Sequence, residues 1–209
     1  TMTMEAMRQA GISVAEKPGL RGFEVLPAAY CPFAGAVEAD WSQAAFWYAA
    51  NFLGSPVEIQ GLNPLSAQGD LAVASLYWRL ARPGDREIDV SGCPDLLPPL
   101  ALLAALRPDR ETNFTDAARL RHKESDRLAA TAALLTALGG RVQETTDVAS
   151  LQGGEVQSAG DHRLAMLAAC AAPFCREPVV LRGADCTAKS YPAFWRDYAQ
   201  LGGKVEHLT

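Results

Sequence analysis

Three runs of this sequence are apolar on nearly every side, and each follows directly on an aspartate. They are WSQAAFWYAANF after Asp40, LLPPLALLAAL after Asp95 and HRLAMLAACAAPF after Asp161. Runs of helical length with so few polar positions have no solvent face, which predicts three buried helices. Aspartate is a favoured N-cap because its carboxylate accepts from the free amides of the first turn, so all three are expected to cap. A second landmark follows each run: a helix that ends in glycine and gives way to a short alternating strand. LTALGGRVQ and AQLGGKVEH are near copies, QAGISV is a shorter form and LYWRLARPGDREIDV a worn one. Glycine after a helix takes up the left-handed cap conformation without steric cost.

The two series keep step. Asp40 to Gly84, Asp95 to Gly139 and Asp161 to Gly202 are nearly equal intervals. Between the landmarks lie VEIQGLNPLSAQGD, TNFTDAARLRHKESDR and PVVLRGADCTAKSYP, each read as a strand and a loop. A spacing kept three times indicates one supersecondary unit used three times. The unit reads helix–strand–loop–helix–strand, with an extra strand bridging to the next, an α/β organisation. The chain therefore divides into residues 1–37 and a domain of three repeats over 38–209, at about 38–90, 91–147 and 148–209. Residues 1–37 hold a helix that stops at Gly11, the strand ISVAE, a turn at KPGLRG and the strand FEVLP. They are expected to be the tail of a fourth unit, ending near Val37–Glu38 after YCPFAGA. Their helix has no strand or cap before it, as though the chain entered a domain part-way.

Composition narrows the partners. The net charge of −5 and the pI near 5.2 argue against nucleic acid, whose binders carry the opposite excess. Five cysteines without a CxxC pair support neither a disulfide framework nor a zinc site, and fit free thiols in a reducing cytoplasm. The apolar stretches Leu96–Leu106 and Leu164–Cys175 are too short to cross a bilayer.

Against the acidic background, basic residues collect in the loops before the second helix of a unit. The second unit has Arg119, Arg121, His122, Lys123 and Arg127, the third has Lys189, and Arg163 opens a buried helix beside His162. A local cationic cluster focuses the field on a small polyanion, and helix N-termini add free amides. Lys123 and Arg127, four apart at a predicted helix start, are expected on one side of it. Arginine would offer a bidentate fork to phosphate or carboxylate, lysine a point charge. The plain alternative is a solvated face on which Glu124 and Asp126 make surface ion pairs, with Asp95 and Asp161 as ordinary caps. Arg163 resists that alternative, because a charge opening an apolar helix is costly unless paired. Spacing supports an anion site here without naming the anion.

Five segments carry a resemblance. LRHKESDRL (Leu120–Leu128), GDHRLAM (Gly160–Met166), CTAKSYPAF (Cys186–Phe194), VEADWSQAAF (Val37–Phe46) and SAQGD (Ser66–Asp70) resemble motifs of the 5-enolpyruvylshikimate-3-phosphate synthase family, in order and at similar spacing. The resemblance spans essentially the whole chain and implies the C-terminal half of such an enzyme. It implies repeated βαβαββ units of the enolpyruvyl transferase type, an inverse α/β half-barrel, with one domain largely complete and the tail of another. The implied reaction moves the enolpyruvyl group of phosphoenolpyruvate onto the 5-hydroxyl of shikimate 3-phosphate and releases phosphate, without metal or organic cofactor. It belongs to the shikimate pathway toward chorismate and the aromatic amino acids.

Carried over residue by residue, the resemblance makes Asp95 a substrate contact that takes the proton from the attacking hydroxyl. It puts Lys123 between the substrates and gives Glu124 proton transfer at the methylene carbon. Arg127, Arg163 and Lys189 would clamp the carboxylate and phosphate of phosphoenolpyruvate, with His162 supporting them or handling protons. The implied partner is the N-terminal half of the same enzyme, so the isolated chain is expected to be inactive. Two features depart from the family: ARPGDREIDVSGC is short, and LLPPLALL is rich in proline. The alternatives are the sister transferase acting on UDP-N-acetylglucosamine and a non-catalytic anion-binding remnant.

Overall fold

The computed structural model describes residues 2–20, 22–32, 35–84, 86–107, 111–140 and 151–208. The apolar runs form helices as their composition dictates: α2 (Trp41–Phe52), α4 (Leu97–Ala105) and α6 (His162–Ala171). The remaining helices are α1 (Met2–Gln9), α3 (Val73–Ala81), α5 (Arg127–Ala137) and α7 (Phe194–Gln200). Strands are β1 (Val14–Glu16), β2 (Phe23–Val25), β3 (Arg86–Asp89), β4 (Thr112–Thr115), β5 (Gly154–Gln157) and β6 (Val179–Arg182).

Pairing direction decides where the chemistry lies. β3 pairs parallel with β4, from Arg86 opposite Thr112 to Asp89 opposite Thr115. β5 pairs parallel with β6, from Gly154 opposite Val179 to Gln157 opposite Arg182. Parallel neighbours require a crossover, which α4 and α6 supply. Asp95 and Asp161 therefore each stand between the carboxyl end of a strand and the start of its crossover helix, the side of an α/β unit on which ligands bind.

The three apolar helices pack against one another pairwise, with α3 against α2 and α4, and α5 against α4 and α6. Every residue of α6 is buried. α2 and α4 divide their faces between two clusters. Phe46 and Trp47 join Leu102, Leu135, Leu167 and Phe194 in one. Trp41, Ala45 and Ala49 join Leu76, Ile88, Leu100 and Leu103 in the other. Fully buried Phe194 has the rings of Trp47, Tyr191, Trp195 and Tyr198 around it, with centroids at 5.0 to 6.1 Å. No described helix is long and apolar enough to cross a membrane.

Residues before Val37 form α1 and an antiparallel β1–β2 hairpin, with Val14 opposite Val25. Gly11 takes a positive φ of 77° after α1, where a Cβ would stand 2.8 Å from Cys31 Sγ.

The structure corrects several sequence expectations. Asp40 and Asp161 cap α2 and α6 by accepting from Ser42 N and Arg163 N. Asp95 caps nothing. It lies within the 3-10 turn Pro94–Leu96, where Leu97 N is taken by Pro94 O, and Pro98 and Pro99 supply no amide hydrogen. Lys123 is not helical; it follows the 3-10 turn Ala118–His122 in an extended conformation, four residues before α5 starts at Arg127. The expected strands VEIQ at 57–60 and KVEH at 204–207 form no strand and have no ladder partner among the described residues. Alternation marks a segment fit for a sheet edge; it cannot supply the neighbour that makes it a strand. The expected strand RVQ at 141–143 lies outside the described residues.

Phe46 is wholly buried in the cluster that joins α2 to α6. Phe46→Ala is expected to cost about 3–5 kcal/mol, read as a lower urea midpoint at unchanged slope.

Candidate active site

Seven side chains singled out in the sequence converge on the carboxyl side of the two parallel strand pairs. At the centre is Arg127, the first residue of α5, whose side chain is 0% exposed. A buried guanidinium is tolerable only when its donors are met. Here Nε donates to Asp161 Oδ2 at 2.8 Å, Nη1 to Asp95 Oδ1 at 2.6 Å, and Nη2 to Glu124 Oε2. Asp161, itself 0% exposed, uses its other oxygen to cap α6 through Arg163 N at 3.0 Å. Ser125 Oγ adds a longer contact to Asp161 at 3.3 Å.

Asp95 is the complementary hub. Freed from capping, its carboxylate meets Arg127 on Oδ1, Arg163 Nη2 on Oδ2 at 3.0 Å, and Lys123 Nζ at 3.3 Å. Arg163 also donates from Nη2 to Ser42 Oγ at 2.9 Å, which ties in α2. Arg163 Nη1 stands 2.6 Å from His162 Nε2. A guanidinium can only donate, so Nε2 accepts and the ring proton sits on Nδ1. Burial first, and the Arg163 charge next, push the His162 pKa down, consistent with a neutral ring.

The outer edge is wetter. Lys189, with 62% of its side chain exposed, reaches Glu124 Oε1 at 3.3 Å. Burial pushes the Glu124 pKa up, but its own backbone amide, Arg127 and Lys189 outweigh this and hold it at about 2. Glu124 is thus a firm carboxylate while both cations attend it. Arg121 pairs instead with exposed Asp126 at 2.9 Å, the surface ion pair that the plain alternative foresaw.

Sequence reasoning missed three participants. Ser42 and Ser125 carry no signal beyond being short and polar. Asp70, in SAQGD, lies in the 3-10 turn Gly69–Ala72, and its Oδ1 is buried without a hydrogen-bond partner. Burial, then the Asp95 charge, push its pKa up to about 6, while Arg163 and Lys123 pull the other way.

Fold and site together define an α/β protein that holds four cations among carboxylates contributed by repeated βα connections, a centre suited to small anions. The profile of the family described as EPSP synthase (3-phosphoshikimate 1-carboxyvinyltransferase) matches residues 1–198. The 3-phosphoshikimate 1-carboxyvinyltransferase of Clostridium acetobutylicum is 39% identical across 100% of this chain and 53% of its own length. That of Clostridium kluyveri is 39% identical across 83% of this chain and 45% of its own. Two solved structures of EPSP synthase from Acinetobacter baumannii share the fold, with TM-scores of 0.75 and 0.74 at 22% and 20% identity. They cover 98% and 99% of this chain and 55% of each of theirs. The chain belongs to the EPSP synthase family, and spans about half the length of the curated relatives it matches.

Two stability outcomes follow from the site. Arg127→Met leaves Asp161 buried and uncompensated, an expected cost of about 3–5 kcal/mol in urea unfolding. Asp70 has the opposite sign. Its folded pKa of about 6 lies above the ordinary 3.8, so the native state loses stability as pH rises from about 4 to 6. Asp70→Asn is expected to be more stable than the parent above pH 7, by about 3 kcal/mol, with the gain shrinking toward zero near pH 4 in pH-resolved thermal melts.

Proposed function

We propose that this chain is the C-terminal half of a 3-phosphoshikimate 1-carboxyvinyltransferase and carries half of its active site. In this reading residues 1–37 end the N-terminal domain, and 38–209 form three units of the βαβαββ type, an inverse α/β half-barrel. The observation that carries the reading is the convergence of Lys123, Glu124, Arg127, Arg163 and Lys189, all on family motifs, with Asp95 into one lattice of alternating charge.

The reaction joins the 5-hydroxyl of shikimate 3-phosphate to C2 of phosphoenolpyruvate. Asp95 takes the hydroxyl proton as the C–O bond forms, and Glu124 delivers a proton to the C3 methylene, giving a tetrahedral intermediate. The C2–O bond to phosphate then breaks, the leaving phosphate takes the proton held by Asp95, and Glu124 takes back a proton from C3 to restore the enol ether. Protonating a vinyl carbon demands a carboxylic acid held against it. Glu124 at about 2 is too acidic for that while Arg127 and Lys189 hold it. An anionic substrate on exposed Lys189 competes for its charge, weakens its grip on Glu124 and raises that carboxylate's affinity for a proton. Substrate binding thereby prepares the acid. Lys123, already at Asp95, lies between the two partners of the reaction, while Arg163 and Lys189 stabilise the carboxylate and the departing phosphate. His162, neutral and held by Arg163, keeps that guanidinium in orientation.

The test is complementation. Mixed with the separately produced N-terminal half of a related enzyme, the chain is expected to release phosphate from phosphoenolpyruvate only when shikimate 3-phosphate is present. Lys123→Ala should lower the rate by at least about 100-fold, the scale of losing a preorganised charge. The chain alone should be silent. Turnover dependent on UDP-N-acetylglucosamine would transfer the assignment to the sister reaction. No turnover from folded, associated halves would leave an anion-binding remnant.

A further inference from the structure

We propose that Ser42 is a positioning residue for Arg163: its hydroxyl oxygen, fixed by the first turn of α2, holds the guanidinium in one orientation without cancelling its charge. The proposal rests on the transferase reading above, and concerns a residue to which that reading gives no role.

The turn that carries Ser42 is anchored at Trp41, Ser42 and Gln43 alike. Trp41 N donates to Gln68 Oε1 at 2.8 Å, and Trp41 Nε1 to Asn63 O at 3.1 Å. Gln68 is itself held, its Nε2 donating to Glu38 Oε1 at 2.9 Å and to Ala39 O at 3.0 Å. Ser42 N donates to the capping Asp40 Oδ1 at 2.8 Å. Gln43 Nε2 donates to Ser190 O at 2.7 Å, which joins the turn to the residue after Lys189. Ser42 is only 4% exposed, and α2 packs on α6, so the hydroxyl meets Arg163 from a backbone with little room to move.

Arg163 needs such a partner. Its Nε is buried without a hydrogen bond among the described residues, so the guanidinium is oriented through its two terminal nitrogens. Nη1 meets His162 Nε2 at 2.6 Å, while Nη2 donates both to Ser42 Oγ at 2.9 Å and to Asp95 Oδ2 at 3.0 Å. His162 is the adjacent residue of the same helix, and Asp95 is a carboxylate that Arg127 and Lys123 also claim. Ser42 supplies what neither gives, a neutral acceptor on a separate helix. A carboxylate in its place would hold the guanidinium but pair off its charge, whereas a hydroxyl leaves that charge to a ligand. Without Ser42, Nη2 is left to Asp95, and the guanidinium turns toward that carboxylate. A small misplacement of a charge that must meet phosphoenolpyruvate is costly, because the gain from positioning falls off steeply with distance.

Two arms test this, one of them independent of turnover. In the chain itself, arginine-resolved NMR should show slow rotation about Cζ–Nη2 of Arg163, because turning that group breaks both of its hydrogen bonds. In Ser42→Ala the rotation should be faster by roughly tenfold or more, the scale of losing one hydrogen bond to a charged group. Ser42→Cys, close to serine in size but with a weakly accepting sulfur, should behave like alanine. Ser42→Thr keeps the hydroxyl and should restore slow rotation; if its added methyl prevents folding, the alanine and cysteine variants decide. Unchanged rotation in those two overturns the proposal, whether or not the chain proves to be a transferase. In the complemented enzyme, Ser42→Ala should raise KM for phosphoenolpyruvate roughly tenfold and leave KM for shikimate 3-phosphate unchanged, with Ser42→Thr bringing the first back. An equal rise in both KM values, or a lowered Tm with both unmoved, would make Ser42 merely structural. Absence of turnover in the parent complex would instead sink the transferase reading, leaving the NMR arm to judge the link between Ser42 and Arg163.

Discussion

The rest of this structure depends on burying one guanidinium. Arg127 has no exposed side-chain surface, and its cost falls only if carboxylates meet it from several directions. Those carboxylates come from three places in the chain: the β3–α4 connection, the bend before α5, and the cap of α6. Each must arrive with its side chain in a fixed geometry, so α4, α5 and α6 are held in register by charge as well as by leucine packing. A purely apolar filling would be as stable or more so. What it would lack is a set of oriented cations beside an opening to solvent.

Parallel pairing and helix packing together bring the carboxylates to one place. A parallel pair sends its chain across through a helix, and the crossover starts at the carboxyl end of its own pair. β3–α4–β4 and β5–α6–β6 are separate pairs that each leave an aspartate there, and the packing of α4 on α6 brings Asp95 and Asp161 together. α2 brings Ser42 to the same place, where it joins Arg163. Repetition of one unit thus gathers a polar centre that no single unit could build, because each contributes only one or two of its groups.

How much of this is legible in the sequence depends on the physics of each feature. The three inner helices are legible because burial on all sides leaves an unbroken apolar run. VEIQ and KVEH show the alternation of strands, but pairing is a property of two segments, and alternation names only one. The capping rule fails at Asp95 for a local reason: prolines at the helix start remove amides, and the freed carboxylate turns to the arginines. Arg163 announces itself, since a charge opening an apolar helix needs a partner. Arg127 does not, because from the sequence it could as well belong to a solvated face. Ser42 and Asp70 are silent for the same reason: what gives them meaning is a neighbour distant in the chain.

The lattice also sets an order in which anions can enter. At rest each of the four cations is paired with one of the protein's own carboxylates, and an incoming anion must compete with them. Arg127 is sealed, and reaching it means displacing Asp95 or Glu124. Lys189 and Lys123 are different, with 62% and 32% of their side chains exposed and single contacts of 3.3 Å to their carboxylates. Exposed pairs of that kind are weak, of order 1 kcal/mol or less, and yield readily to a phosphate. A dianion therefore meets the lysines first. Taking Lys189 from Glu124 leaves that carboxylate with one cation instead of two, which raises its proton affinity at the point where the proposed chemistry needs an acid. In the proposed reaction the buried arginine holds the frame in place while the exposed lysines change partners, so that one lattice would serve both the fold and the proposed ligand.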